Sequence, residues 1–258
     1  MNYFSQKNTA ERYAKGRPFF HRNTIKHIKD FINIEAKLCN ALDVACGTGL
    51  STTALLDIAN NVYGTDISDE MLRLAINADK INYLKTPAEN LPFENDFFDI
   101  ITVSSGVHWF DIDKFLREAN RVLKTNGWLV LYENYFISEM EGIEAFKKWF
   151  PEVYLKKYPS PKRNDSYLWT NENVNDKGFV FLKEERFKNP VAFTKEQLIL
   201  YFTTQSNITA AIENGSSIYN KAENWLDIEL TPFFREHEKQ TIHYGNWIKY
   251  LQKNNCLQ

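Results

Sequence analysis

Between residues 38 and 135 the apolar positions of the chain fall into two alternating rhythms. Short runs with little polar interruption predict buried strands at Leu38 to Ala45, Asn61 to Asp66, Ile81 to Leu84, Asp99 to Val103 and Trp128 to Tyr132. Between them the period becomes helical. Ile112, Phe115, Leu116, Ala119, Val122 and Leu123 repeat every three or four residues, as in a helix laid against a sheet. Ser51 to Ala59 reads as a helix. Ser68 caps another, whose first turn carries Asp69 and Glu70 at the positive end of its dipole. Apolar strands alternating with helices predict an α/β fold: a doubly wound, mostly parallel sheet covered on both faces.

The flanks carry a weaker signal. Ala10, Tyr13 and Ala14 have helical spacing, interrupted at Gly16-Arg17-Pro18, and a second helix is predicted from about Asn23 to Phe31. Residues 1–35 therefore read as an N-terminal helical cap, and residues 36–258 as one domain with a lid-like insertion at about 150–235. Past Phe136 a helix is predicted at Glu139 to Phe150, and then a polar stretch without period from Tyr154 to Lys177. Phe179 to Leu182 reads as a strand. Thr194-Lys195-Glu196-Gln197 is a capping box opening an aromatic-rich helix to about Ile212. A helix at Ser217 to Phe234 and a last strand at Tyr244 to Leu251 follow. Tyr167, Trp169, Tyr201 and Phe202 would let the insertion bury an apolar part of a ligand.

Composition narrows the choice of partners. Hydrophobic residues make up 43% and charged residues 25% of the 258, which rules out a disordered or collagen-like chain. Lys and Arg total 31 against 33 Asp and Glu, a net charge of −2, so nucleic acid is disfavoured as a partner. No apolar run approaches the roughly 20 residues of a membrane helix, and the N-terminus has no apolar core of a secretory signal. Cys39, Cys46 and Cys256 form no C-x-x-C pair, so neither a disulfide framework nor a thiolate zinc site is expected. His21, His27, His237 and His243 show no metal-ligand spacing. A cytoplasmic protein without a metal is the expectation; the oligomeric state is not legible.

The chain holds only 10 glycines, yet two stand within three residues in Asp43-Val44-Ala45-Cys46-Gly47-Thr48-Gly49, where the first strand ends. In a doubly wound sheet ligands bind beyond the carboxyl ends of the strands. Glycine lets the backbone approach a ligand, and the next helix offers free N–H groups to an anion. Asp66, at the end of the second strand, can accept both hydroxyls of a ribose. A nucleoside triphosphate would require a lysine after Gly49, and a dinucleotide a third glycine where Thr52 stands. Asp43 would repel a pyrophosphate but suits an ammonium. Ribose, carboxylate and ammonium together describe S-adenosylmethionine.

The segments ALDVACGTG, GTDISDEML, PAENLPF, FDIITVSSGVHWFD and EANRVLKTNGWLVL resemble the successive motifs of class I S-adenosylmethionine-dependent methyltransferases. The nearest subgroup is that of small-molecule enzymes similar to trans-aconitate methyltransferase. The likeness is strong over about residues 38 to 135 and weaker at RYAKGRPFF, similar to a Tyr-…-Arg-Pro segment of that subgroup. It implies a seven-stranded sheet with an antiparallel last strand, and S-adenosylmethionine as cofactor. It also implies that Asp43, Ala45, Gly47 and Gly49 line the methionine portion and that Asp66 takes the ribose. Ile67 and Met71 would flank the adenine, Ala88 and Glu89 would meet its edge, and Ser104 would close the pocket. Ala45 departs from the family, where many members have glycine.

His108, in Gly106-Val107-His108-Trp109-Phe110 after the fourth strand, is a candidate for substrate contact or proton transfer, with Trp109 as pocket wall. Either could equally be a packing residue. Tyr13 and Arg17 are candidates for a cover over the cofactor, and Arg17 offers a counter-ion to a substrate carboxylate. Ser104-Ser105-Gly106-Val107 stands where base-modifying amino-methyltransferases carry an Asn-Pro-Pro-Tyr type motif. A small acceptor is therefore expected, with a carboxylic acid leading and hydroxyl, amine and carbon acceptors open. From other classes, a nicotinamide-dependent oxidoreductase and a non-catalytic S-adenosylmethionine-binding protein remain as rivals.

Overall fold

A computed structural model describes residues 7–161, 166–234 and 238–254; His237 and Cys256 lie outside them. The chain opens with helices α1 (Lys7–Gly16) and α2 (His21–Ile32). Then come β1 (Leu38–Val44), α3 (Leu50–Ala54), β2 (Ala59–Asp66), α4 (Asp69–Arg73), β3 (Ile81–Lys85), β4 (Phe98–Ser104), α5 (Ile112–Val122) and β5 (Leu123–Met140). Helix α6 (Glu144–Trp149) runs through a π turn into α7 (Leu155–Lys157), and α8 (Asn171–Val174) precedes β6 (Phe179–Phe193). The chain ends with α9 (Lys195–Thr203), α10 (Ser206–Glu213), α11 (Tyr219–Leu230) and β7 (Gln240–Lys253).

The strands form one seven-stranded sheet in the order β3-β2-β1-β4-β5-β7-β6, mostly parallel with an antiparallel last strand. The α/β fold expected from the alternation is the fold observed. Register brings the carboxyl ends of the central strands level. Val44 pairs with Thr65 on one side and with Val103 on the other, and Ser104 pairs with Tyr132.

The chain divides into two compact units. The sheet unit holds residues 21–134, 163–187 and 246–258. Its strands are buried on both faces because successive side chains enter different cores. Leu42, Val44, Ile101, Val103, Leu129 and Leu131 join one core, which the α5 residues Phe115, Leu116, Ala119 and Val122 cover. Ala41, Ile100, Val130 and Tyr132 join the other, closed by Ile25 and Ile28 of α2. Asp111 caps α5 by accepting from the Lys114 N–H at 3.3 Å.

The aromatic unit holds residues 1–20, 135–162 and 188–245, around Phe146, Trp149, Tyr154, Tyr201, Phe202 and Tyr244. The capping box of α9 is present: Gln197 N–H donates to Thr194 Oγ1 at 3.2 Å, and Thr194 N–H to Gln197 Oε1 at 2.9 Å.

Several elements differ from expectation. The helix after β1 ends at Ala54 and continues only as a tight turn, Leu55–Asp57, because β2 begins at Ala59. No helix starts at Glu139: β5 runs to Met140, and Gly142 turns the chain with φ 73° before α6. The helices α1 and α2 belong to different units. Tyr167 and Trp169 pack on a core of the sheet unit, whereas Tyr201 and Phe202 are core residues of the aromatic unit. Thr194→Ala should cost about 1 kcal/mol by removing the α9 cap, read as a lower urea midpoint with unchanged slope.

Candidate active site

The loop after β1 turns in left-handed steps at Ala45 (φ 57°), Gly47 (φ 56°) and Gly49 (φ 78°). Such alternation turns backbone N–H groups toward one side, the arrangement that binds anions. Cys46 N–H donates to the Thr65 carbonyl at 3.0 Å, and the Gly49 carbonyl accepts the Thr53 N–H at 2.9 Å to open α3. Space also selects the glycines. A Cβ on Gly49 would meet the Tyr83 hydroxyl at 2.1 Å, and one on Gly64 the Tyr83 ring at 2.7 Å. One on Gly47 would lie 3.2 Å from Met71 Cε, and one on Gly106 would meet Ala45 Cβ at 2.7 Å. The loops after β1 and β4 thus touch, with Met71 of α4 beside them.

Asp43 is fully buried. Its Oδ2 accepts from Ser51 Oγ at 2.6 Å and Thr52 Oγ1 at 2.8 Å, and its Oδ1 from Thr102 Oγ1 at 3.1 Å. Burial pushes its pKa up to about 6 against the pull of these three bonds. Rather than standing open to a ligand's ammonium, the carboxylate ties β1 to α3 and β4. Ser51, Thr52 and Thr102 were not singled out in the sequence, where hydroxyls so close to the loop were the available signal.

Asp66 presents its carboxylate at the end of β2. Oδ2 accepts the Gly47 N–H at 2.9 Å and Oδ1 the Ser68 N–H at 2.8 Å. Burial raises its pKa while these backbone donors oppose the rise. Each oxygen keeps lone-pair capacity for a further donor. Ile67 beside it is 60% exposed, whereas Met71 and Ala88 are buried. Glu89 Oε1 accepts the Asp111 N–H at 2.8 Å, linking the loop after β3 to the start of α5. Ser104 lies beside the Tyr132 hydroxyl, which pairs with His21 Nδ1 at 3.0 Å. Burial pushes His21 down to about 3, so its ring is neutral. This chain from α2 to the end of β4 was not anticipated.

His108 and Trp109 sit on a short turn, Val107–Trp109, after left-handed Ser105 (φ 56°), with ring centroids 4.8 Å apart. Trp109 is half exposed. Tyr13 and Arg17 belong to the aromatic unit, where the Arg17 guanidinium lies 4.6 Å from the Tyr13 ring and 5.3 Å from the Tyr201 ring. Cys46 is buried and its thiol is pushed up, a packing residue and no nucleophile. Among the described residues no three His, Cys, Asp or Glu converge as a metal site, and no helix is long and apolar enough to cross a membrane.

The residues fit an adenosyl ligand. A partly exposed carboxylate faces a loop of left-handed residues, and an exposed isoleucine and a methionine stand beside it. Residues 42–131 match the methyltransferase domain family. The demethylmenaquinone methyltransferase of Staphylococcus haemolyticus is 30% identical over 167 residues, 60% of this chain and 69% of that protein. Its Staphylococcus epidermidis counterpart is 34% identical over 169 residues, 60% and 67% of the two chains. The chain belongs to the class I S-adenosylmethionine-dependent methyltransferases. S-adenosylmethionine is its cofactor. A methyltransferase-fold structure from Anaeromyxobacter dehalogenans superposes with TM-score 0.70 at 18% identity, covering 92% of this chain and 97% of that one. A Haemonchus contortus phosphoethanolamine N-methyltransferase 2, solved with phosphomonomethylethanolamine and S-adenosylhomocysteine, shares the fold at TM-score 0.53 and 16% identity. It covers 97% of this methyltransferase, which spans 58% of it.

Two predictions test the loop. The folded state holds the Asp43 proton up to about pH 6, against 3.8 for the ordinary carboxyl. The stability tied to this proton is present at pH 4 and lost as pH rises through 6. Relative to Asp43→Asn, the wild type should lose about 2 kcal/mol between pH 4 and pH 7, measured by urea unfolding at each pH. Ala45→Gly should raise stability by about 1 kcal/mol, since glycine carries no left-handed penalty; calorimetric Tm checks it.

Proposed function

We propose that this methyltransferase methylates a small organic acid and that the cofactor lies across the loop after β1, with its ribose on Asp66. The observation that carries the placement is Asp66, whose two oxygens are already aimed by the Gly47 and Ser68 N–H groups. Ile67 and Met71 flank the adenine, and Ala88 and Glu89 border its edge. Ala45, Gly47 and Gly49 follow the methionine portion, while Asp43 holds that loop from below through Ser51 and Thr52. Ser104, backed by Tyr132, closes the far side.

A small acceptor is supported by the net charge of −2, which disfavours nucleic acid, and by Ser104-Ser105-Gly106-Val107 in place of an amino-methyltransferase motif. An anionic one is supported by an Arg17 guanidinium with no carboxylate at ion-pair distance among the described residues. When bound, S-adenosylmethionine supplies a sulfonium methyl whose departure leaves a neutral thioether. The protein's tasks are then to bind, align and exclude water. An oxygen anion has no proton to lose, so His108 and Trp109 position the acceptor.

A second reading gives the acceptor a proton, with His108 removing it. It is favoured by the half-exposed turn carrying His108 and by the quinone acceptor in the names of the staphylococcal relatives.

Asp66→Ala should weaken S-adenosylmethionine binding by about 2–3 kcal/mol through loss of charge-assisted hydrogen bonds. Titration calorimetry showing unchanged affinity removes Asp66 from the site. For an anionic acceptor, His108→Ala should mainly raise KM and leave the shape of the pH–rate profile unchanged. A fall in kcat of about 10²-fold or more, with loss of the acidic limb, selects the second reading.

A further inference from the structure

The aromatic unit holds buried hydrogen-bonding atoms without partners that gather around Arg17. They are Arg17 Nε, the hydroxyls of Tyr154 and Tyr244, and Gln205 Nε2, the last two turned toward the Tyr201 hydroxyl without closing a well-formed hydrogen bond to it. Tyr154 is 1% exposed and Tyr244 fully buried. Arg17 Nη2 donates to the carbonyl of Thr204, the residue before Gln205, at 3.2 Å. The Tyr201 ring lies 5.3 Å from that guanidinium and 5.5 Å from the Tyr244 ring, edge to face. Tyr154 and Tyr244 both lie close enough to Arg17 to feel its charge.

A buried polar group without a partner costs about 1–3 kcal/mol, and native interiors hold few. Several around one arginine call for a missing partner. Arg17 Nε and Gln205 Nε2 can only donate. Burial raises both tyrosine hydroxyls well above their ordinary range, so they too remain protonated and able to donate. The complement of several convergent donors and one positive charge is a compact anion rich in lone pairs. The planar guanidinium, flanked by the Tyr13 and Tyr201 rings, suits the planar fork of a carboxylate.

We propose that Arg17, Tyr154, Tyr244 and Gln205 form a carboxylate-binding site within the aromatic unit. Phe136, Phe150 and Phe202 pack with these tyrosines and suit the apolar body of the acid. With its lone pairs taken by these donors, a carboxylate held here is a handle for recognition and not a methyl acceptor.

The test uses the full chain and two probes, benzoate and phenylacetate, each compared with its neutral amide and with chloride at equal ionic strength. Ligand binding should raise Tm. Both acids should do so in the wild type, and their amides and chloride should not. The Tyr154→Phe/Tyr244→Phe variant should unfold at the wild-type temperature or above, since it sheds unpartnered hydroxyls, and should bind the acids at least tenfold more weakly. Arg17→Gln should abolish the shift while S-adenosylmethionine affinity stays unchanged. The proposal is overturned if neither acid stabilises the wild type beyond its amide, or if the double variant keeps the full shift. A loss of S-adenosylmethionine affinity in Arg17→Gln overturns it as well, assigning the site to the cofactor's own carboxylate. If the wild type fails to bind S-adenosylmethionine while the acids still stabilise it, the methyl-transfer reading falls and this site stands.

Discussion

The Asp43 carboxylate, buried at the end of β1, ties three segments together through hydrogen bonds. It accepts from Ser51 and Thr52 at the start of α3 and from Thr102 on β4. Those bonds fix where the helix begins relative to the strand, and with it the path of the intervening loop. Three left-handed residues in that loop, at 45, 47 and 49, oppose its formation. The hydrogen bonds and the packing of Tyr83 against Gly49 and Gly64 hold it nonetheless. Burying a charge there is costly, which the raised Asp43 pKa records. A preformed loop loses less freedom when a ligand arrives.

Asp66 connects that scaffold to ligand chemistry. Because its oxygens accept from Gly47 of the loop and Ser68 at the cap of α4, its carboxylate is oriented before any ribose reaches it. The same economy recurs at the end of β4. Ser104 is backed by Tyr132, whose hydroxyl meets a histidine kept neutral by burial. The sheet unit thus presents aligned strand ends with their polar groups already aimed. The aromatic unit contrasts with it, leaving donors around Arg17 without partners.

The sheet core was legible because its strands are apolar on both faces and its helices have one covered stripe. Glycine spacing and Asp66 located the loop for a similar reason: both answer backbone or charge requirements that few residue types meet. The role of Asp43 was not legible, since spacing cannot tell whether a carboxylate faces a ligand or neighbouring hydroxyls. The length of β6 escaped because Lys183 to Lys188 is mostly charged and lacks a strand's apolar signal, and the end of β5 because a helix was expected from Glu139. The aromatic unit escaped because it is assembled from three separated stretches, and no local pattern reports a long-range union. Gly64 and Gly245, glycines inside strands, were overlooked marks of close approach.

The placement of the cofactor is tested most directly by backbone amide NMR of the full chain as S-adenosylhomocysteine is added. The account predicts the largest shifts at Gly47, Gly49, Ile67, Ala88 and Ser104, with little change along the cleft of about 650 Å³ lined by Phe110, Asp111, Tyr167 and Lys177. Shifts concentrated in that cleft, with the loop after β1 unmoved, would contradict it.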